Sequence, residues 1–184
     1  MTTPAAEPDF DALFAEMAPR VLSLARRLTG DAELAQDVLQ ETFLAVYRAL
    51  PGFRGESKIE TWVYQIAMHT ARRHAKRARS QQRRDVAHGV SRQSDGVPGD
   101  LNEVEALERA IAALPDAQRE VICLLSLREV RGRVAAEILG IAEGTLYSRA
   151  FAARASLRTM LEDKTRCDPT SQNHSPARAS SGDQ

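Results

Sequence analysis

Ala136-Glu137-Ile138-Leu139-Gly140-Ile141-Ala142-Glu143-Gly144-Thr145-Leu146-Tyr147-Ser148-Arg149 reads as a helix, a tight stop and the opening of a second helix. Ala135 to Leu139 forms the first helix. Gly140 supplies the stop, because glycine enters the left-handed backbone region that L side chains resist. Gly144-Thr145 opens the second helix, and Leu146, Ala150, Ala153, Leu157 and Leu161 recur along it at steps of three and four. That spacing makes one buried stripe. Tyr147, Phe151, Arg154 and Arg158 repeat the same spacing one residue later and face outward. A short helix, a turn and a helix whose first residues can reach base edges is a helix-turn-helix.

The same period governs the rest of the chain. Phe10, Leu13, Phe14, Met17, Val21, Leu24 and Leu28 mark a first helix, and Thr29-Gly30-Asp31 stops it and caps the next. The second helix carries a core stripe of Leu39, Phe43, Val46 and Leu50, and Pro51-Gly52 ends it. A third starts near Thr61 and continues into an arginine-rich stretch ending near Arg84. The apolar signal then fades among Gly89, Gly96, Pro98 and Gly99, and resumes with Val104, Leu107, Ile111 and Leu114. Pro115 suits the start of a further helix. After Asp163 the chain is polar and rich in Ser, Pro and Ala. The expected fold is therefore all-α, with two small helical domains at residues 8–84 and 101–163. A flexible linker at 85–100 joins them, and a disordered tail covers 164–184.

The chain has 184 residues, 25 basic and 25 acidic, so its formal charge is zero. The charges are not evenly spread. Met1 to Leu50 holds eight acidic and four basic side chains, whereas Pro51 to Arg84 holds nine basic and two acidic. One surface should face a protein partner and the other phosphates. Cys123 lies in an apolar run and reads as core, while Cys167 lies in the polar tail. No apolar run is long enough to cross a membrane and the N-terminus carries no signal-peptide pattern, so a cytoplasmic location is expected. His69 and His74, five apart on a helix, do not share a face well enough for a metal pair. No spacing joins Ser, His and acidic residues into a catalytic site. No enzyme, cofactor, metal site or small-molecule substrate is expected.

Two separated segments read together. The first is Asp37-Val38-Leu39-Gln40-Glu41-Thr42-Phe43-Leu44, followed by Phe53-Arg54-Gly55-Glu56-Ser57 and Thr61-Trp62-Val63-Tyr64-Gln65-Ile66-Ala67. The second is Leu114-Pro115-Asp116-Ala117-Gln118-Arg119-Glu120-Val121 with the helix-turn-helix beyond it. In this order, from about Phe10 to Leu161, they resemble a bacterial RNA polymerase sigma factor of the extracytoplasmic-function (ECF) type.

The resemblance implies a transcription initiation factor that binds core RNA polymerase and directs it to promoter DNA. It implies that Asp37, Gln40, Glu41 and Leu44 dock the polymerase, with Phe43 kept for the core. It implies that Arg54, Lys58, Trp62, Tyr64, Arg72, Arg73, Lys76 and Arg77 engage the −10 region. Apolar pockets beside cations favour unstacked bases over duplex. Trp62 also shares a helical face with Ile66 and Thr70, so a core role stays open.

For the −35 region the resemblance implies Thr145, Tyr147, Ser148, Arg149 and Arg154. The chain departs from the family there. It is about three residues shorter between Gly132 and Ile138, and Tyr147 stands where a lysine is typical. Exposed Tyr147 and Phe151 suit thymine methyls or a protein contact patch equally. An anti-sigma partner is also implied. The competing reading is a sigma-like decoy that binds polymerase or an anti-sigma factor without reading promoters.

Overall fold

The computed structural model describes residues 9–87 and 103–166. They form seven α-helices and a short 3-10 turn. Helix α1 (Phe10–Thr29) starts at Asp9, whose side chain accepts the Asp11 N–H at 3.0 Å, and ends at Gly30 with φ of 68°. Asp31 then caps α2 (Ala32–Ala49), its Oδ1 accepting the Leu34 N–H at 2.9 Å. Each cap satisfies backbone groups that a helix end leaves open. Leu50–Gly52 forms the 3-10 turn where Pro51 ends α2. Helix α3 (Ile59–Ala87) starts two residues before Thr61 and runs three past Arg84, since nothing in Asp85-Val86-Ala87 breaks a helix.

The second group is α4 (Glu103–Ala113), α5 (Asp116–Leu125), α6 (Gly132–Leu139) and α7 (Glu143–Arg166). Pro115 caps α5. Gly140, at φ of 66°, makes the turn between α6 and α7. Helix α6 begins three residues before Ala135. Most of the expected linker, Cys167 and the tail beyond Arg166 lie outside the described residues.

The core is continuous. Leu13, Met17, Val21, Leu24, Val38, Val46, Val63 and Met68 of α1–α3 belong to the same buried cluster as Val121, Leu124, Ala135, Ile138 and Leu146. Helix α1 packs on α4 and α5 as well as on α2 and α3, and α3 packs on α6. The two halves are therefore docked on each other, which hydrophobic periodicity alone did not predict. Cys123 is in this core, and burial pushes its thiol up to about 12.

Of the residues expected on buried stripes, Leu157 and Leu161 of α7 are only half-buried and three are exposed. Phe14 is 42% exposed, Val104 64% and Leu107 41%. Helix α4 buries only its far end, through Ala110 and half-buried Ile111, so its first turns have little to pack on among the described residues. Phe14 instead joins an aromatic group with Phe10, Phe43 and Tyr47. Its ring is 4.7 Å from that of Phe43, and the Phe10 ring is 5.1 Å from that of Tyr47.

Candidate nucleic-acid interface

Helix α2 presents Asp37, Gln40 and Leu44 to solvent, with Glu41 half-buried beside them. Their steps of three and four put them on one face. Thr42 and Phe43 turn inward, and the Thr42 hydroxyl donates to the Val38 carbonyl at 2.6 Å.

Glu41 is tied to α3. It pairs with Arg73, and its Oε2 lies 3.0 Å from Nε2 of the buried His74. The His74 imidazole beside it, more than Arg73, holds the Glu41 carboxyl below the usual range against the opposing effect of burial. Helices α2 and α3 thus share one carboxylate.

The residues expected at the −10 region divide by environment. Arg54 and Lys58 are exposed in and after the loop from Phe53 to Lys58. Trp62 is half-buried against Phe53, ring centroids 5.0 Å apart, beside a cavity of about 550 Å³ lined by Arg54, Gln65 and Glu137. Lys76 and Arg77 are exposed and line a second cavity of about 630 Å³ with Leu34, Arg73 and His74.

Tyr64 is different. It is 1% exposed, and its hydroxyl donates to Glu129 Oε1 at 2.9 Å. Burial first, and then Glu129, push the phenol well above its ordinary value. Arg72 is exposed but engaged: Nε and Nη2 donate to the two Glu120 oxygens at 2.7 Å each. Arg79, Arg83 and Arg84 lie in α3, but their side chains are outside the described set.

In α7, Thr145, Tyr147, Ser148 and Arg154 are exposed and Arg149 is half-buried. Ser148 donates to the Thr145 carbonyl at 3.1 Å. The Tyr147 ring lies over Gly132, so closely that a Cβ at Gly132 would collide with the phenolic oxygen. Phe151 is 77% exposed one turn further on.

Sequence reasoning passed over Glu120, Glu129 and Arg20. Arg20 Nε lies 3.6 Å from Glu129 Oε1, and Arg27 donates to the Ser126 hydroxyl. These contacts join residues far apart in the chain, so no local spacing signals them.

A helical protein with a basic helix and a helix-turn-helix falls in the class of nucleic-acid-binding transcription proteins. Residues 13–81 match the Sigma-70 region 2 family and residues 104–157 match Sigma-70 region 4. The RNA polymerase sigma-H factor of Pseudomonas aeruginosa is 35% identical over 172 residues, covering 83% of this chain and 86% of that protein. The ECF RNA polymerase sigma-E factor of Escherichia coli K12 is 31% identical over 164 residues, covering 80% and 84%.

Among solved structures, the sigma factor RpoE in complex with the anti-sigma factor NepR from Bartonella quintana has a TM-score of 0.68 at 25% identity, covering 84% of this chain and 97% of that one. CnrH in complex with the cytosolic domain of CnrY shares the fold, with a TM-score of 0.63 at 24% identity, covering 84% and 88%. The chain belongs to the sigma-70 family, in its extracytoplasmic-function group, and is a transcription initiation factor. Among the described residues, no helix is long and apolar enough to cross a membrane.

Proposed function

We propose that this factor binds core RNA polymerase in the cytoplasm, brings it to promoters through −10 and −35 contacts, and performs no bond chemistry of its own. Asp37, Gln40, Glu41 and Leu44 dock the polymerase. Arg54, Lys58, Trp62, Tyr64, Arg72, Arg73, Lys76 and Arg77 act at the −10 region, with cations on phosphates and rings beside unstacked bases. Thr145, Tyr147, Ser148, Arg149 and Arg154 act at the −35 duplex. Residues 8–84 and 101–163 are the two working units.

The observation that most supports this reading is the α2 face. It sets the exposed Leu44 among polar side chains, next to basic α3, within the segment that matches region 2. Because a solved structure with this fold is a sigma factor in complex with the anti-sigma factor NepR, we extend the partner list to a protein of that kind.

The test is transcription from sheared genomic DNA with purified core polymerase, mapping RNA 5′ ends by sequencing. Discrete new starts sharing upstream sequence are expected. No new starts in a preparation that binds core polymerase would replace this reading with a sigma-like decoy.

A further inference from the structure

Helix α7 holds two aromatic rings out to solvent. Tyr147 is 55% exposed and Phe151 77%. They stand one turn apart, so they share a face. The Tyr147 ring is not loose on that face. It lies across Gly132, the first residue of α6, where a Cβ would collide with the phenolic oxygen. Gly132 is not among the glycines with positive φ, so the ring, and not the backbone, is what requires a glycine there.

The surroundings are cationic. From Leu127 to Leu161 there are six arginines and three glutamates. Arg131 and Arg133 flank Gly132 beneath the tyrosine, and Arg154 and Arg158 continue the outward face of α7. All four are exposed, and among the described residues no ion pair engages them. An apolar pair between free guanidinium groups suits a polyanion that also displays apolar groups. Duplex DNA is such a surface, with phosphates along the rims of the major groove and thymine 5-methyl groups inside it. A protein partner would need an acidic rim to match.

The chemistry of base reading narrows this further. Guanine and adenine are read by paired hydrogen bonds from Arg, Lys, Asn or Gln. The first two turns of α7 hold one such residue, Arg149. It is half-buried and stands roughly 200° around the helix from Tyr147. Glu143 suits a cytosine amino group, and the Thr145 and Ser148 hydroxyls suit any base. The two rings suit the thymine methyl.

We propose that Tyr147 and Phe151 make this factor a reader of thymine in the −35 element, through the 5-methyl groups, and that Gly132 is a positioning residue that leaves room for the Tyr147 ring. The reading rests on the placing of α7 at the −35 duplex. The arginines then hold phosphates and set affinity, while the rings set which base pairs are preferred.

The test uses holoenzyme assembled from the full chain and core polymerase. The probe is a promoter duplex carrying the upstream sequence shared by the mapped starts, beside a copy in which deoxyuridine replaces thymine in the −35 element alone. That change removes methyl groups and keeps every base-pair hydrogen bond. Uracil is expected to weaken binding about fourfold for each methyl that a ring covers. Phe151→Ala and Tyr147→Ala should each lower the thymine-to-uracil affinity ratio, and the double variant should abolish the preference. Gly132→Ala places a methyl under the ring at a helical position that tolerates alanine, so it should lower the ratio while the melting temperature holds. The ratio is the readout because a change of charge on α7 moves both duplexes alike.

Equal binding of the two duplexes, with a scrambled −35 element bound less well, would overturn the thymine reading and leave α7 at the −35 duplex. A uracil effect that survives in the double variant would take the rings out of it. A ratio untouched by Gly132→Ala would overturn the positioning role. Equal binding of the scrambled element would overturn the −35 assignment and the thymine reading with it, and weaker core polymerase binding by Phe151→Ala would then mark the face as a protein contact.

Discussion

The two helices assigned to DNA, α3 and α7, stand in opposite conditions in one molecule. On α3, Tyr64 is buried, Arg72 is held by Glu120 and Arg73 by Glu41. On α7, Thr145, Tyr147, Ser148 and Arg154 face solvent, and among the described residues no ion pair engages Arg149 or Arg154. Tyr64, Arg72 and Arg73 are thus engaged within the molecule, while Arg54, Lys58, Lys76 and Arg77 face solvent as the α7 residues do. Glu120 of α5 and Glu129, in the turn before α6, meet Arg72 and Tyr64, while Glu41 of α2 meets Arg73.

The largest expected effect tests whether the halves behave as one body. Leu124 of α5 is fully buried in the core that both halves share. Leu124→Ala should cost about 2–5 kcal/mol. Calorimetry should show one transition moving down as a whole; two separate transitions would show that the seam adds little.

Next comes the charge on α3. Arg72→Ala with Arg73→Ala should weaken promoter binding by the holoenzyme and lower its salt slope by about two at most, since each arginine displaces about one counterion. An unchanged slope would put both arginines off the DNA. A smaller change is expected on α7. Tyr147→Lys adds a cation on the bare face and should tighten −35 duplex binding a few-fold, with a salt slope steeper by about one, read in a binding titration at several salt concentrations. No change would keep this helix out of the groove.

The smallest effect concerns Glu41. Its carboxyl is held below the ordinary value of 4.5 by His74 and Arg73, so its interactions stabilise the fold fully above that pH. That stability is lost as pH falls through the lower folded value. Glu41→Gln should flatten the acid limb of a denaturation series at constant salt, and an unchanged limb would remove the linkage.

Much of this was legible in the sequence. Gly30, Asp31, Pro51 and Gly140 punctuate the helices where turn chemistry says they should. The outward stripe of Tyr147, Phe151, Arg154 and Arg158 follows from period alone, and all four are exposed. What period cannot supply is the identity of the opposing surface. Trp62 and Tyr64 lie two apart, so they point to different sides of α3. The tyrosine is the buried one, in the shared core with its hydroxyl on Glu129. Phe14 shows the converse: it fits the apolar period of α1, yet the aromatic group it joins faces partly outward. The Arg72–Glu120 pair spans 48 residues, and no local rule joins two charges across such a distance.

The seam between the halves is made of apolar core as well as charge, so parting them is also a hydration event. Exposing that surface raises the heat capacity of the protein. Separation of the halves should therefore carry a positive heat-capacity change. Apolar adhesion also weakens on cooling. The hold between the halves is thereby tied to temperature, through buried residues such as Leu124 and Ile138.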